Sequence, residues 1–511
     1  MKTLSRRRFL SSAALTLAAT RLRSQSTAPA QATLTIPPEA AGAAVPVDFA
    51  GVSYEVRQLE DPRFFSAANT GLIAQFKALS SDGVLRLGGN TSEFEYWKPT
   101  PGSPEPAHPQ TRIVVGEPKP DYYPVTAEAV RNLADFLQAT GWRCIYGIGM
   151  GTNVPERAAA EGAFVARTLG PSLEYFQIGN EVDLFSRHLR DPKTWSAQTY
   201  LAEWLTLARA VAASVPDARF GLPDVAGKIE WLTEIAEAWP SIANPPRVTT
   251  LTHHHYFGGP ATNPAVNIPN LLGTAEMVKV QKAADTANAA AAKMGVRVRM
   301  TEGNTCFRGG KPGLSDVFAA ALWAADYALL LATNNYTGIN LHGGTMGPIA
   351  SGLGGFLPGD VLLKDEGDTP EQIASHPHPF YTPIAQFGSE YILEPVAYGL
   401  KFAGALAGST LVKADLTSAL QSAGVNATAY AARLPDGRAA VIVLNKDAEK
   451  DLDLTLDFGR GRSGRVETEA LHAPALDSRE AHIGPSDGLR LRHGRCTVQV
   501  ARASGLRITL V

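Results

Sequence analysis

Between Val47 and Gly344 the chain alternates short apolar runs with longer segments of helical periodicity, eight times over. Parallel strands need long crossover connections, so this alternation selects βαβ units and a parallel sheet. The runs are VDFAGVSYEV (47–56), GVLRLGGN (83–90), CIYGIGMG (144–151), YFQIGNE (175–181), RFGLPDV (219–225), VTTLTHHHYF (248–257), VRMTEGNT (298–305) and YTGINLHGG (336–344). Eight is the number that closes a TIM barrel. The segments between them carry helical signals. In AEAVRNLADFLQATG, Val130, Leu133, Phe136 and Leu137 recur at helical spacing and Gly141 follows as a stop. Tyr200, Trp204, Leu207, Ala208 and Val211 share one face of a second such segment. SDVFAAALWAADYALLLAT is apolar almost all round; Asp316 and Asp326 interrupt it, which predicts a buried helix rather than a membrane span.

From about Pro383 to Val511 the helical period fades and short alternating runs take over, with a hairpin signal at Pro435-Asp436-Gly437. These features predict a β-sandwich. The early run ATLTIP (32–37) precedes the barrel, has no place in it, and is expected to join the sandwich. The expected organisation is therefore a (β/α)₈ TIM barrel over 46–382 and a C-terminal all-β sandwich over 383–511, joined by the strand at 33–45. Ahead of both, Ser-Arg-Arg-Arg-Phe-Leu (5–10) and the apolar SSAALTLAAT read as a twin-arginine signal over residues 1–32, cleaved after Ala30 or Ala32. The apolar run is shorter than the roughly 20 residues that span a bilayer. A periplasmic or secreted protein is the expectation, with no membrane association after cleavage.

Composition excludes more than it identifies. A formal net charge of −2 over 511 residues gives no electrostatic reason to expect nucleic acid or an anionic membrane as partner. Three cysteines, Cys144, Cys306 and Cys496, make neither a disulfide framework nor a zinc pattern. Cys306, four residues after Glu302, reads as a small packing residue.

A TIM barrel carries its active site at the carboxyl ends of its strands. Two of the runs end in a carboxylate flanked by polar groups: Ile-Gly-Asn180-Glu181 on the fourth and Met-Thr-Glu302-Gly-Asn on the seventh. Strands four and seven face each other across an eight-stranded ring. A facing pair suits glycoside hydrolysis, in which one carboxyl protonates the leaving oxygen and the other attacks the anomeric carbon from about 5–5.5 Å away. Asn180 could hydrogen-bond a substrate 2-hydroxyl. Singly, a strand-end glutamate is more often a solvated loop charge; the pairing raises the specificity. The triplet His253-His254-His255 invites a metal reading, but adjacent strand residues point to opposite faces and cannot converge on one ion. Such histidines more often position a carboxylate or bind sugar. No metal or other cofactor is implied, and the Gly-Gly pairs at 88–89, 258–259 and 343–344 read as strand-to-loop turns.

On LRLGGNTSEF (85–94), YGIGMGTN (146–153), FQIGNEVDLF (176–185), GLPDV (221–225), HHHYF (253–257) and MTEGNT (300–305), the chain resembles glycoside hydrolase family 79, the β-glucuronidase and heparanase group. That group lies within the clan of retaining (β/α)₈ glycosidases. The resemblance implies Glu181 as acid/base, Glu302 as nucleophile, and Tyr256 as the group that orients the nucleophile. It implies sugar contacts for Glu55 and Asn90, although an Asn after Gly-Gly also suits a turn for backbone reasons. In related enzymes a tyrosine and backbone amides after the nucleophile hold the glucuronate carboxylate. Here that loop reads Cys306-Phe307-Arg308-Gly309-Gly310-Lys311, and Phe307 stands at the tyrosine's place. The amides around Gly309 remain possible donors, and Arg308, Lys311 or Tyr381 could compensate. The expected partner is a glycoside, oligosaccharide or polysaccharide. A neutral-sugar glycosidase such as a β-glucosidase or β-xylosidase, an endo-acting heparanase-like enzyme, and a carbohydrate-binding protein with a silent barrel all stay open, as does the oligomeric state.

Overall fold

Each of the eight apolar runs overlaps a strand: Ala50–Glu55, Val84–Gly88, Arg143–Ile148, Leu173–Ile178, Phe220–Val225, Val248–Gly258, Arg297–Cys306 and Tyr336–Gly343, hereafter barrel strands one to eight. In the computed structural model they close in sequence order, with parallel pairing all the way round. The structure describes residues 28–39, 41–106, 122–152, 154–352, 378–460, 463–486 and 489–511. The twin-arginine stretch lies outside them, as does the end of the Pro-rich loop at 99–110. Strands one, two and five are buried along their whole length, as a sheet covered on both faces requires.

The helices stand where capping chemistry places them. Ala127–Thr140 starts at Thr126, whose side chain accepts from the Ala129 N–H, and stops at Gly141 in the left-handed region (φ 79°). Ala197–Ser214 opens with a reciprocal Ser196/Thr199 capping box. The apolar segment forms the helix Phe318–Thr333 and buries every residue except Leu330 and Thr333. Among the described residues no helix is long and apolar enough to cross a membrane. Phe318–Thr333 is buried because a further helix, Pro395–Gly404, packs on its outer side. The two approach so closely that a Cβ at Gly399 would lie 2.0 Å from the Ala321 carbonyl oxygen. Gly399→Ala is therefore expected to destabilise the protein by about 1–3 kcal/mol through overpacking, read as a lower urea midpoint at unchanged slope.

The helical ring thus runs past residue 383, where the sandwich was expected to begin, and the sandwich sheets start at Thr410. The larger sheet orders Thr410–Leu411, Ala427–Arg433, Ala439–Asn445, Ser504–Leu510, Gly464–His472 and His482–Pro485, with Leu489–Leu491 also on Gly464–His472. The smaller sheet holds Ala30–Thr35, Leu452–Asp457 and Arg495–Val500. Leu34, Val441, Val443, Leu454, Leu456 and Ile508 help form the core of this domain. The early strand pairs parallel with Leu452–Asp457 from Ala30 onward, so the pairing takes in residues that the signal reading had assigned to 1–32. The Pro435-Asp436-Gly437 turn connects Ala427–Arg433 to Ala439–Asn445, with Gly437 at φ 84°.

Barrel and sandwich meet over a buried charge. Asp326, on Phe318–Thr333, accepts from the Thr428 and Tyr430 hydroxyls, each at 2.7 Å, and pairs with Lys446 Nζ at 2.5 Å. All four residues are buried.

Candidate active site

The strand-end carboxylates meet at the barrel mouth because local backbone irregularities aim them there. Barrel strand seven slips register against strand six between Met300 and Glu302, leaving Thr301 as the extra residue. A bulge of this kind bends a strand and re-aims its side chains. Two consecutive side chains consequently reach across the barrel: Thr301 Oγ1 donates to Asp224 Oδ1, and Glu302 accepts from Arg86. On strand four the chain turns sharply after Ile178, with Gly179 at φ 84° and Glu181 itself left-handed at φ 49°. Left-handed backbone is unusual for a residue with a Cβ and persists only where the surroundings hold it. Here the Glu181 N–H donates to the carbonyl of Asp224, which is also left-handed at φ 62°.

The two glutamates sit in opposite electrostatic settings. An oxygen of Glu181, a nitrogen of His254 and an oxygen of Glu302 all lie within 4.8 Å of one another. Glu302 accepts from Arg86 Nη1 at 2.6 Å and from the Tyr256 hydroxyl at 2.9 Å. His342 Nδ1 lies 3.6 Å from its other face and His254 Nδ1 3.9 Å away. Burial alone would raise the Glu302 pKa, but His342, His254 and Arg86, with the Tyr256 hydrogen bond, bring it down to about 2. Among the described residues the Glu181 carboxyl has one close polar partner, His254 Nδ1 at 3.3 Å, and its side chain is 16% exposed against 6% for Glu302. Burial first and the Glu302 charge next raise its pKa above the ordinary carboxylate value, against the lowering pull of His254. The site therefore holds one ionised and one protonation-prone carboxyl, the division of labour that acid/base chemistry with a nucleophile needs.

Around this pair the other expected residues take different places. Asn180 is buried; its Oδ1 accepts from Arg86 at 2.7 Å and its Nδ2 donates to Asn90 Oδ1 at 2.9 Å, leaving one amide hydrogen for a ligand. Asn90 is half-buried and closes that chain. Glu55 is buried, and one of its oxygens is committed to the Thr91 N–H and hydroxyl, at 2.9 and 2.7 Å. The other faces His342 at 3.5 Å. Tyr256 hydrogen-bonds Glu302, the contact expected of it. Phe307 is 38% exposed, with its ring edge-on to Tyr256 at 6.5 Å. Tyr381 is only 2% exposed: it stacks behind Tyr256 and does not stand open at the mouth. Gly309 is buried, in the left-handed region at φ 87°, and its carbonyl accepts from the Tyr381 N–H. Lys311 turns away, donating to the Val266 carbonyl at 2.7 Å, which removes it as a compensating cation. Cys306 is buried as packing. The histidine triplet diverges as its alternation requires: His253 to Tyr336, His254 into the site, and His255 to Glu276.

Arg86, Asp224 and His342 belong to the site and were not singled out from the sequence. Arg86 is wholly buried and bonds Glu302, Asn180, Asp224 and Ser53, so it ties strands one, two, four, five and seven together. A signal for it exists: an arginine inside the otherwise apolar VLRLG can be buried only against carboxylates.

No family model matches the chain. A β-glucuronidase of Aspergillus niger is 26% identical over 320 residues, which cover 58% of this chain and 56% of the relative. A β-glucuronidase of Neurospora crassa is 29% identical over 201 residues, 34% of each chain. The matched stretch thus spans little more than half of the first relative and about a third of the second. The crystal structure of a 4-O-α-L-rhamnosyl-β-D-glucuronidase from Fusarium oxysporum, a complex with Rha-GlcA, shares the fold at a TM-score of 0.69 and 19% identity, over 94% of this chain and 100% of that one.

Proposed function

We propose that this protein is a retaining β-glycosidase of the β-glucuronidase type, with Glu302 as nucleophile and Glu181 as acid/base. The observation that carries the reading is the spacing of the pair and the opposed surroundings of its two members. Their oxygens approach within 4.8 Å, in keeping with the short separation of retaining enzymes and well below the roughly 6.5–9.5 Å that leaves room for water in inverting ones. Glu302, ionised and oriented by Arg86 and Tyr256, attacks the anomeric carbon while Glu181 gives its proton to the leaving oxygen. Glu181 then takes a proton from water, which hydrolyses the glycosyl-enzyme ester and frees Glu302. NMR of the first product formed from an aryl β-glycoside tests this: retained configuration is expected, and an inverted product would overturn it.

The pH dependence follows from the same pair. At low pH, kcat/KM rises as Glu302 ionises, and it falls again as Glu181 loses its proton. With Glu181 shifted upward, the alkaline limb is expected above the ~4.3 of an ordinary glutamate. A rate that keeps climbing through pH 9 would contradict the assignment.

A glucuronide as substrate is supported by the names of the two curated relatives, and membership of glycoside hydrolase family 79 by the motifs alone. Phe307 favours a second reading, a neutral sugar in the same pocket, because it offers no hydroxyl where the resemblance implies one. A panel of aryl β-glucuronide, glucoside, xyloside and galactoside separates the two. If the sugar carboxylate lies beside Phe307, Phe307→Tyr supplies a charge-assisted hydrogen bond and is expected to raise kcat/KM for the glucuronide about tenfold, leaving the glucoside unchanged. An equal effect on both sugars would favour the neutral-sugar pocket.

A further inference from the structure

Asp224 is the penultimate residue of barrel strand five, wholly buried, and the proposed reaction gives it no step. Yet site groups from four other strands converge on it. Its Oδ2 accepts from Arg86 Nη2 at 2.5 Å and lies 3.1 Å from His254 Nε2. Thr301 donates to its Oδ1, and its backbone carbonyl holds the Glu181 N–H at 2.9 Å. Across the imidazole ring, His254 Nδ1 faces Glu181 Oε1 at 3.3 Å and Glu302 Oε1 at 3.9 Å. We propose that Asp224 is a positioning residue that fixes His254 as an imidazolium, so that a single buried cation faces both glutamates from the side opposite Asp224.

The geometry argues for it directly. A neutral imidazole donating to Asp224 would turn its Nδ1 lone pair toward Glu181, which could meet it only with the carboxyl proton that the reaction needs at the leaving oxygen. Protonated on both nitrogens, the ring presents a donor to each side. Charge balance points the same way. Asp224 and Glu302 are two buried anions; Arg86 from strand two bridges both and His342 also faces Glu302, so the second cation within reach of Asp224 is His254. The other nitrogen of His254 faces Glu181, whose pKa it draws down against the upward push of burial. The other ionisable groups nearby have partners of their own: His342 lies between Glu302 and Glu55, and Glu276 is paired with His255. In agreement, His254 is pushed up to about 10, burial working against the stronger pull of Asp224 and Glu302.

The catalytic consequence rests on the two-glutamate reading above. In Asp224→Asn the ring loses its counter-charge and becomes neutral near pH 7. Glu181 and Glu302 both lose a cation, so both limbs of the kcat/KM profile are expected to move to higher pH, by about one unit or more. A role confined to packing would lower the rate and leave the limbs in place. The direct test is NMR of ¹³C,¹⁵N-labelled histidine in the full chain, with the His254 signal assigned by its loss in His254→Gln. In the wild type the ring is expected to stay an imidazolium through pH 8; in Asp224→Asn it is expected to be neutral by pH 7. A neutral wild-type ring at pH 7 would overturn the proposal, as would a variant in which both the ring charge and the limbs are unchanged. The wild-type titration decides even if the variant does not fold. Should the wild type hydrolyse no glycoside while His254 stays charged, the glycosidase reading falls and the Asp224 assignment stands.

Discussion

Glu302→Ala is expected to lower turnover of an activated aryl β-glycoside on the order of 10⁴-fold or more, as loss of a residue that makes the covalent bond does elsewhere. The bound substrate loses little, since Arg86, Asn180 and Tyr256 stay in place, so the fall belongs in kcat. Added azide separates the two glutamates. In Glu302→Ala the vacated space lets azide attack the anomeric carbon, giving a glycosyl azide of inverted configuration. In Glu181→Ala the covalent intermediate still forms from a substrate with a good leaving group, and azide then yields a product of retained configuration. Exchanged outcomes would reverse the roles. A Glu302→Ala protein with near wild-type turnover would remove Glu302 from the chemistry.

The largest stability effect is expected far from that site. Asp326→Ala removes the buried partner of Lys446 and strands an ammonium between barrel and sandwich, with the Thr428 and Tyr430 hydroxyls also left without their acceptor. Breaking a buried pair by deleting one member typically costs about 3–5 kcal/mol, because the survivor stays desolvated and unpaired. The urea midpoint should fall accordingly. Replacing both members, in Asp326→Leu with Lys446→Met, removes the stranded charge and is expected to recover most of the loss. If the double substitution is no better than the single one, the polar cluster contributes more than the balance of its charges.

Much of this molecule is legible in its residues, for identifiable reasons. Barrel strands buried on both faces read as continuous apolar runs, and several end in glycine, so their number and order can be read directly. Glu181 and Glu302 are visible because a carboxylate directly after such a run is conspicuous. What could not be read is set by register. The slip at Met300/Glu302 decides that Thr301 and Glu302 both face the barrel axis, and no periodicity announces it. Arg86 and Asp224 lay inside quoted motifs, but their partners sit on other strands, and only closure of the ring brings them together. Tyr381 and Lys311 were expected at the pocket as substitutes for the hydroxyl that Phe307 lacks. One is stacked beneath Tyr256 and the other spends its charge on the Val266 carbonyl. The start of the sandwich was misplaced because Pro395–Gly404 is a short helix whose apolar face serves the barrel.

The strand Ala30–Thr35 has a consequence for how the molecule is assembled. Its partner, Leu452–Asp457, lies beyond the whole barrel in sequence. Contacts of such long separation close slowly, since the chain between them must be ordered first. During synthesis the strand waits unpaired, with Leu34 exposed, until all eight barrel strands and then Leu452–Asp457 have emerged. Its docking is a late event that follows emergence of the whole barrel, and hydrogen exchange at Leu34 against Leu85 in refolding chains would time it.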